Sequence, residues 1–203
     1  MPVNPRQTLR QSIRRKRRAL TPVQQKHAAR RLHRQLIQRP EFIRARHIAL
    51  YLPNDGEIDP RLLLETCWAM GKKTYLPVLH PVLHNRLWFV PYTRDSKLIR
   101  NIYRIEEPPV IKAPRRPAWA LNLVLLPLVA FDQSGNRMGM GGGYYDRTFS
   151  FKRQKAGLKG PALIGLAHEL QRVEQLPVEN WDIPLTGIIS DKHSYMGQSC
   201  TET

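Results

Sequence analysis

The stretch that decides the fold runs from Leu121 to Arg147. It opens with LNLVLLPLVA (Leu121–Ala130), crosses a short polar link, and ends in RMGMGGGYYDR (Arg137–Arg147). The first part is the most apolar run in the chain. Its length and composition suit a central strand covered on both faces. In the second part, four of the five residues from Gly139 to Gly143 are glycine, and a helix is expected from about Tyr144. A buried strand, then backbone stripped of side chains, then a helix start is how α/β folds make anion sites. Amide N–H groups converge, the helix dipole adds positive charge, and missing side chains let phosphate approach. The stretch is neither of the common glycine fingerprints. No Lys-Ser/Thr pair follows, and Tyr144 stands where a third glycine would belong. Alone, the cluster reads as a nucleotide or phosphate site, or simply as a tight, bulged loop.

The flanking residues favour the phosphate reading. Arg137 precedes the glycines and suits charge that develops during phosphoryl transfer. Asp146 follows them, placed either to hold Mg²⁺ or to complement a helix N-terminus as a first-turn acid. Tyr144 and Tyr145 suit stacking on a flat ring or packing as core.

Outward from this stretch, strands and helices alternate. A helix is expected over residues 6–19, where Leu9, Ile13 and Leu20 recur at roughly helical spacing. Thr21-Pro22 reads as an N-cap with proline in the first turn of a second helix reaching about Gln38. His47–Leu52 reads as a strand, Asn54-Asp-Gly56 as a turn, and Asp59-Pro60 as the start of a helix ending near Gly71. Lys73–Leu79 and Arg86–Tyr92 read as strands, Glu106–Pro117 as a proline-rich loop, and Ala162–Ala167 and Thr186–Ser190 as late strands. The expected fold is a three-layer α/β/α, Rossmann-like domain. It has a central, largely parallel sheet and an N-terminal helical segment. The domain is expected over residues 1–191, followed by a polar tail over 192–203.

With 203 residues, 41% hydrophobic and 24% charged, the chain is long enough to bury a sizeable core. No run approaches the length of a membrane span, and no apolar leader follows the N-terminus. Two distant cysteines, Cys67 and Cys200, argue against a disulfide framework and fit a reducing, cytoplasmic setting. His80, His84, His168 and His193 show no metal-ligand spacing. The net charge of +17 is uneven. Residues 1–50 hold 14 Lys and Arg against one acid, Glu41, a net +13; the remainder carry a net +4. Such a segment attracts polyanions, or is a solvated arginine-rich helix face, or imitates a transit peptide.

Gly135-Asn-Arg-Met-Gly-Met-Gly-Gly-Gly-Tyr-Tyr-Asp-Arg147, preceded by Leu126-Pro-Leu-Val-Ala-Phe-Asp132, resembles the signature of the 5-formyltetrahydrofolate cyclo-ligase family. So do Arg6-Gln-Thr-Leu-Arg10, Asp55-Gly-Glu-Ile-Asp59, Gly71-Lys-Lys-Thr-Tyr-Leu-Pro77 and Leu176-Pro-Val-Glu-Asn-Trp-Asp182, in the family's order over roughly residues 6–190. The basic N-terminus then belongs to the folded domain.

The resemblance implies ATP- and Mg²⁺-dependent conversion of 5-formyltetrahydrofolate to 5,10-methenyltetrahydrofolate. It implies Arg6 and Arg10 at the ATP phosphates, and a nucleotide loop of Arg137, Met138, Gly139, Met140, Gly141, Gly142, Gly143, Tyr144 and Tyr145. It implies Leu52, Glu57, Met140 and Tyr144 at the folate, and Asp146 and Asp182 near Mg²⁺. Arg137, Glu57 and Tyr145 are the expected catalytic residues. A monomer with small-molecule substrates is expected, without a membrane or a specific nucleic acid as partner. Two departures stand out: many family members carry lysine where this chain has Arg6 and Gly142.

Overall fold

The computed structural model describes residues 4–110, 114–153 and 160–196. Helix α1 (Pro5–Arg18) starts where the Asn4 side chain accepts the Arg6 amide at 3.0 Å. Helix α2 (Pro22–Leu36) starts with a full capping box, Thr21 and Gln24 satisfying each other's amides. A short α3 (Pro40–Arg44), opened by Pro40, was not expected from the sequence. Strand β1 (His47–Ala49) is shorter than expected, although Leu50 still donates its amide to the Tyr75 carbonyl. Helix α4 (Arg61–Ala69) precedes β2 (Lys73–Leu79) and β3 (Leu87–Pro91). A small hairpin, β4 (Ile99–Arg100) and β5 (Glu106–Glu107), follows.

The decisive apolar run becomes β6 (Leu123–Pro127). It continues into β7 (Ala130–Phe131), which pairs antiparallel with β8 (Arg137–Met138) and so delivers the glycine stretch. Helix α5 (Tyr144–Thr148) is little more than one turn. The chain ends with β9 (Ala162–Ala167), β10 (Gly187–Ser190) and β11 (Ser194–Met196). Ser194–Met196 pairs with β10, so this part of the expected tail is an edge strand of the sheet. Residues 197–203, with Cys200, lie outside the described residues.

The central sheet has seven strands in the order β11-β10-β9-β6-β1-β2-β3. The five inner strands run parallel, and the two edge strands are antiparallel. Period-two alternation sends β6 side chains to both faces. Leu123 and Leu125 join Leu32, Leu36, Phe42 and Leu63 under α2, α3 and α4. Val124 and Leu126 join Phe131, Phe149, Ile183 and Leu185 on the other face, which α5 and irregular segments cover. Each of these leucines is almost fully buried, a burial that stabilises the fold by roughly 1.5–3 kcal/mol per side chain. No helix among the described residues is long and apolar enough to cross a membrane.

Candidate active site

β1 and β6 are neighbours, but the chain leaves them in opposite directions: β2 lies beyond β1, and β9 lies beyond β6. Such a switch point leaves a crevice at the carboxyl ends of the strands, where open α/β sheets bind ligands. The Asn54–Glu57 turn follows β1, and the glycine loop follows β6 through the β7–β8 hairpin. Both line one cavity of about 810 Å³, toward the upper end for small-molecule sites.

On the glycine side, the amides of Gly139 to Gly142 donate to no described residue. They remain available to an acceptor in the cavity. Arg10 from α1 holds the loop by donating Nε to the Gly139 carbonyl at 2.9 Å. Its own pKa is lowered by burial and by nearby Arg6. Arg6 donates to Glu179 at 2.8 Å, while its Nε is buried with no partner among the described residues. A buried donor left open is rare in folded proteins. Since α5 is so short, the arginines and loop amides supply the positive field, not a long helix dipole.

Gly142 is a close-approach position. A Cβ there would lie 2.7 Å from the Tyr144 ring, which rests on this backbone. The Tyr144 hydroxyl in turn shares a 2.7 Å hydrogen bond with that of Tyr103, on the β4–β5 hairpin. A side chain at Gly142 would therefore displace an aromatic ring tied to the β4–β5 hairpin. Burial, then the hydrogen bond to Tyr103, pushes the Tyr144 hydroxyl up to about 12.

Arg137 and Asp146 face each other in the cavity wall. Arg137 donates Nη2 to Asp146 Oδ1 at 2.5 Å and Nη1 to the Ile183 carbonyl. Asp146 Oδ1 also accepts the Ile183 amide at 3.0 Å, and Asp182 accepts the Glu179 amide at 3.0 Å. The arginine expected to meet phosphate and the aspartate expected to meet metal thus neutralise each other. Among the described residues no cluster of three or more His, Cys, Asp or Glu could cage a metal ion. Two carboxylates in a cavity with open amides do fit a magnesium ion that arrives with phosphate, which needs only one or two protein carboxylates.

The opposite wall is built on buried charge. Glu57 accepts the Asn54 amide at 3.1 Å, and its Oε1 lies 3.7 Å from Arg17 Nη2. Burial raises the Glu57 carboxyl to about 7, against the attraction of Arg17. Arg17 is fully buried and donates to the Asp55 carbonyl, the Asp55 carboxylate and the Leu128 carbonyl. Arg14 and Arg18 also pair with Asp55. Gly56 has φ +75°, and a Cβ there would sit 2.9 Å from the Arg17 carbonyl oxygen. The turn therefore presses directly on the end of α1 and admits no side chain.

Of the expected site residues, Arg6, Arg10, Leu52, Glu57, Arg137, Gly139, Met140, Gly141, Gly142, Gly143, Tyr144, Tyr145, Asp146 and Asp182 all line the cavity. Met138 does not. Alternation along β8 points Arg137 to the cavity, and Met138 packs in the core with Ile13, Val129, Ala130 and Leu176. Tyr145 lines the cavity and also packs on the core, nearly parallel to Phe149. The sequence reading missed Arg17, Tyr103 and Trp181. Arg17 carried a usable signal: Leu9, Ile13 and Arg17 recur every four residues on one helix face. Tyr103 had none, since its strands are two residues long. Five arginines of α1 are not a merely solvated face: Arg6, Arg10, Arg14, Arg17 and Arg18 all bond to other parts of the fold.

The family model for the 5-formyltetrahydrofolate cyclo-ligase family matches residues 2–191. The Escherichia coli K12 5-formyltetrahydrofolate cyclo-ligase is 41% identical over 182 residues, covering 88% of this chain and 96% of that protein. The Haemophilus influenzae 5-formyltetrahydrofolate cyclo-ligase is 40% identical, covering 91% and 96%. The solved structure of the Aquifex aeolicus 5,10-methenyltetrahydrofolate synthetase superposes with a TM-score of 0.79 at 28% identity, covering 98% of this chain and 95% of that one. On its sequence and on its fold, this chain belongs to the 5-formyltetrahydrofolate cyclo-ligase family.

Proposed function

We propose that this chain uses ATP to close the formyl group of 5-formyltetrahydrofolate onto N10, giving 5,10-methenyltetrahydrofolate, ADP and phosphate. Family membership supports the folate conversion. One observation carries the two-substrate reading: a phosphate-suited glycine loop and a buried carboxyl of raised pKa share a single cavity.

The chemistry needs both walls. A formamide carbonyl is a poor electrophile, and its oxygen is a poor leaving group. Transfer of the γ-phosphoryl group to that oxygen forms the O–P bond and breaks the bond to ADP. N10 then attacks the activated carbon and gives up its proton, and the original formyl oxygen leaves with phosphate. Most of the work is positioning and charge stabilisation. In this reading Arg6, Arg10 and the amides of Gly139 to Gly142 take the ATP phosphates. Arg137 exchanges its Asp146 partner for a phosphoryl oxygen. Tyr145 closes the floor between the two sites, and Met140 and Tyr144 border both. Leu52 and Glu57 hold the folate, with Glu57 hydrogen-bonding in the N5-formyl and N10 region. Asp146 and Asp182 are the residues that would hold Mg²⁺, which would supply positive charge to offset that of the phosphates.

The test is near-ultraviolet absorbance of the purified protein with 5-formyltetrahydrofolate and Mg²⁺. A methenyl chromophore that grows only after ATP is added is the expected result. Absence of the chromophore, in protein that still binds ATP, would refute the folate acceptor and leave the nucleotide loop standing.

A further inference from the structure

We propose that Arg17 is a positioning residue for Glu57: it fixes the Asp55–Glu57 turn through its fork and sets its charge against the Glu57 carboxyl. The inference deepens the folate-side reading above and rests on it for the role of Glu57, but its physical content is independent of any ligand.

The geometry is specific. Arg17 has no exposed side-chain surface, which is rare for arginine. Its three nitrogens reach three places at once: Nε the Asp55 carbonyl at 2.7 Å, Nη2 the Asp55 carboxylate at 2.7 Å, and Nη1 the Leu128 carbonyl at 3.2 Å. It therefore ties the turn after β1 to the segment after β6, the two sides of the switch point. Two other buried polar side chains repeat the tie. His168 Nε2 meets the Gly56 carbonyl at 3.2 Å, and Gln171 donates to the carbonyls of Leu128 and Val129. Burial holds the imidazole at about 4, so His168 is neutral in ordinary buffers and meets that carbonyl as an N–H donor. From α2, Gln25 donates to the same Gly56 carbonyl at 3.2 Å.

The charged and titratable groups facing Glu57 are Arg14 and Arg17 on α1, Asp55 in its own turn, Tyr51 after β1 and Tyr145 on α5. Burial and Asp55 favour the neutral carboxyl; Arg17 and Arg14 favour the carboxylate. Arg17 is the largest of the charges. A lysine at position 17 would keep that charge but lose the fork.

The experiment follows the side-chain carboxyl carbons of ¹³C-glutamate-labelled full-length protein by NMR through a pH titration without ligand. Glu57→Gln identifies the Glu57 signal. The native midpoint is expected near 7. Arg17→Gln is expected to raise it by about one pH unit, and Arg17→Lys to return it close to the native value. An unmoved midpoint in folded Arg17→Gln overturns the proposal. Should Arg17→Gln fail to fold, Arg17→Lys decides. With the fork lost, the KM for 5-formyltetrahydrofolate should rise about tenfold while the KM for ATP stays level. Equal KM values for the folate in Arg17→Lys and native protein overturn the proposal. Because the titration contains no ligand, failure of the folate reading leaves its result standing, and the two failures are told apart.

Discussion

The turn after β1 and the loop after β6 leave neighbouring parallel strands and wall the same cavity, yet one is crowded with buried charge and the other is nearly bare. The β1 turn holds Asp55 under three arginines and Glu57 within reach of a fourth contact to Arg17. The β6 loop has four glycines, open amides and one arginine strap from α1. The first arrangement suits a group whose ionisation must be set and whose position must not drift. The second suits a flexible polyanion that supplies its own charge and needs only donors and room. The comparison separates two kinds of mutational damage: stability and ionisation on the β1 side, affinity and rate on the β6 side.

The sharpest break in this comparison is Arg137→Ala. It should lower kcat about 10³–10⁴-fold, roughly 4–5.5 kcal/mol, because a charge aimed at the transferring group is lost. Thermal melts should change little beside that loss. A large drop in melting temperature with kcat intact would move Arg137 to the structural side. Next, Arg17→Met should cost about 3 kcal/mol in urea unfolding, because Asp55 and Glu57 lose a buried partner. A neutral result would place the strength of this wall in Arg14 and Arg18 instead.

Glu57→Gln sharpens the contrast through pH. The folded carboxyl titrates near 7 against 4.5 for an ordinary glutamate. Its favourable term is therefore fully present below about 4.5 and is lost as pH rises through about 7. Glu57→Gln should consequently be more stable than native protein by about 3 kcal/mol at pH 8, with a smaller gain at pH 5, while losing folate turnover. His168 works in the opposite direction: its folded pKa of about 4 lies below the ordinary 6.5. Its term is present above 6.5 and is lost as pH falls through about 4. Paired urea melts of native, Glu57→Gln and His168→Gln protein at the two pH values check both signs. The smallest effect is Tyr103→Phe. Loss of the hydroxyl pair with Tyr144 should change the KM values several-fold, about 1 kcal/mol, and leave kcat nearly level.

The sequence made the parallel core legible because Leu123–Pro127 and Ala162–Ala167 are unbroken apolar runs, and because Thr21-Pro22 and Gly71 mark helix ends by local chemistry. The glycine loop was legible as special backbone because glycine at that density marks positive φ or close approach: Gly141 and Gly143 have positive φ, and a Cβ at Gly142 would meet Tyr144. Arg17 was overlooked because its letter is shared with Arg15 and Arg18, which differ from it only in which way the helix turns them. The β4–β5 hairpin escaped because Asn101 organises it through side-chain bonds to the Tyr103 and Ile105 amides, not through hydrophobic periodicity. Met138 was assigned to the site by its place in a motif, and strand alternation turned it inward.

The most direct test of a two-walled cavity is calorimetric titration of one protein with two ligands, a non-hydrolysable ATP analogue and 5-formyltetrahydrofolate, repeated with Glu57→Gln and Arg10→Gln. The account predicts that Glu57→Gln loses the folate and keeps the nucleotide, and that Arg10→Gln does the reverse. Equal weakening of both ligands by either variant, in folded protein, would contradict the division of the cavity into these two walls.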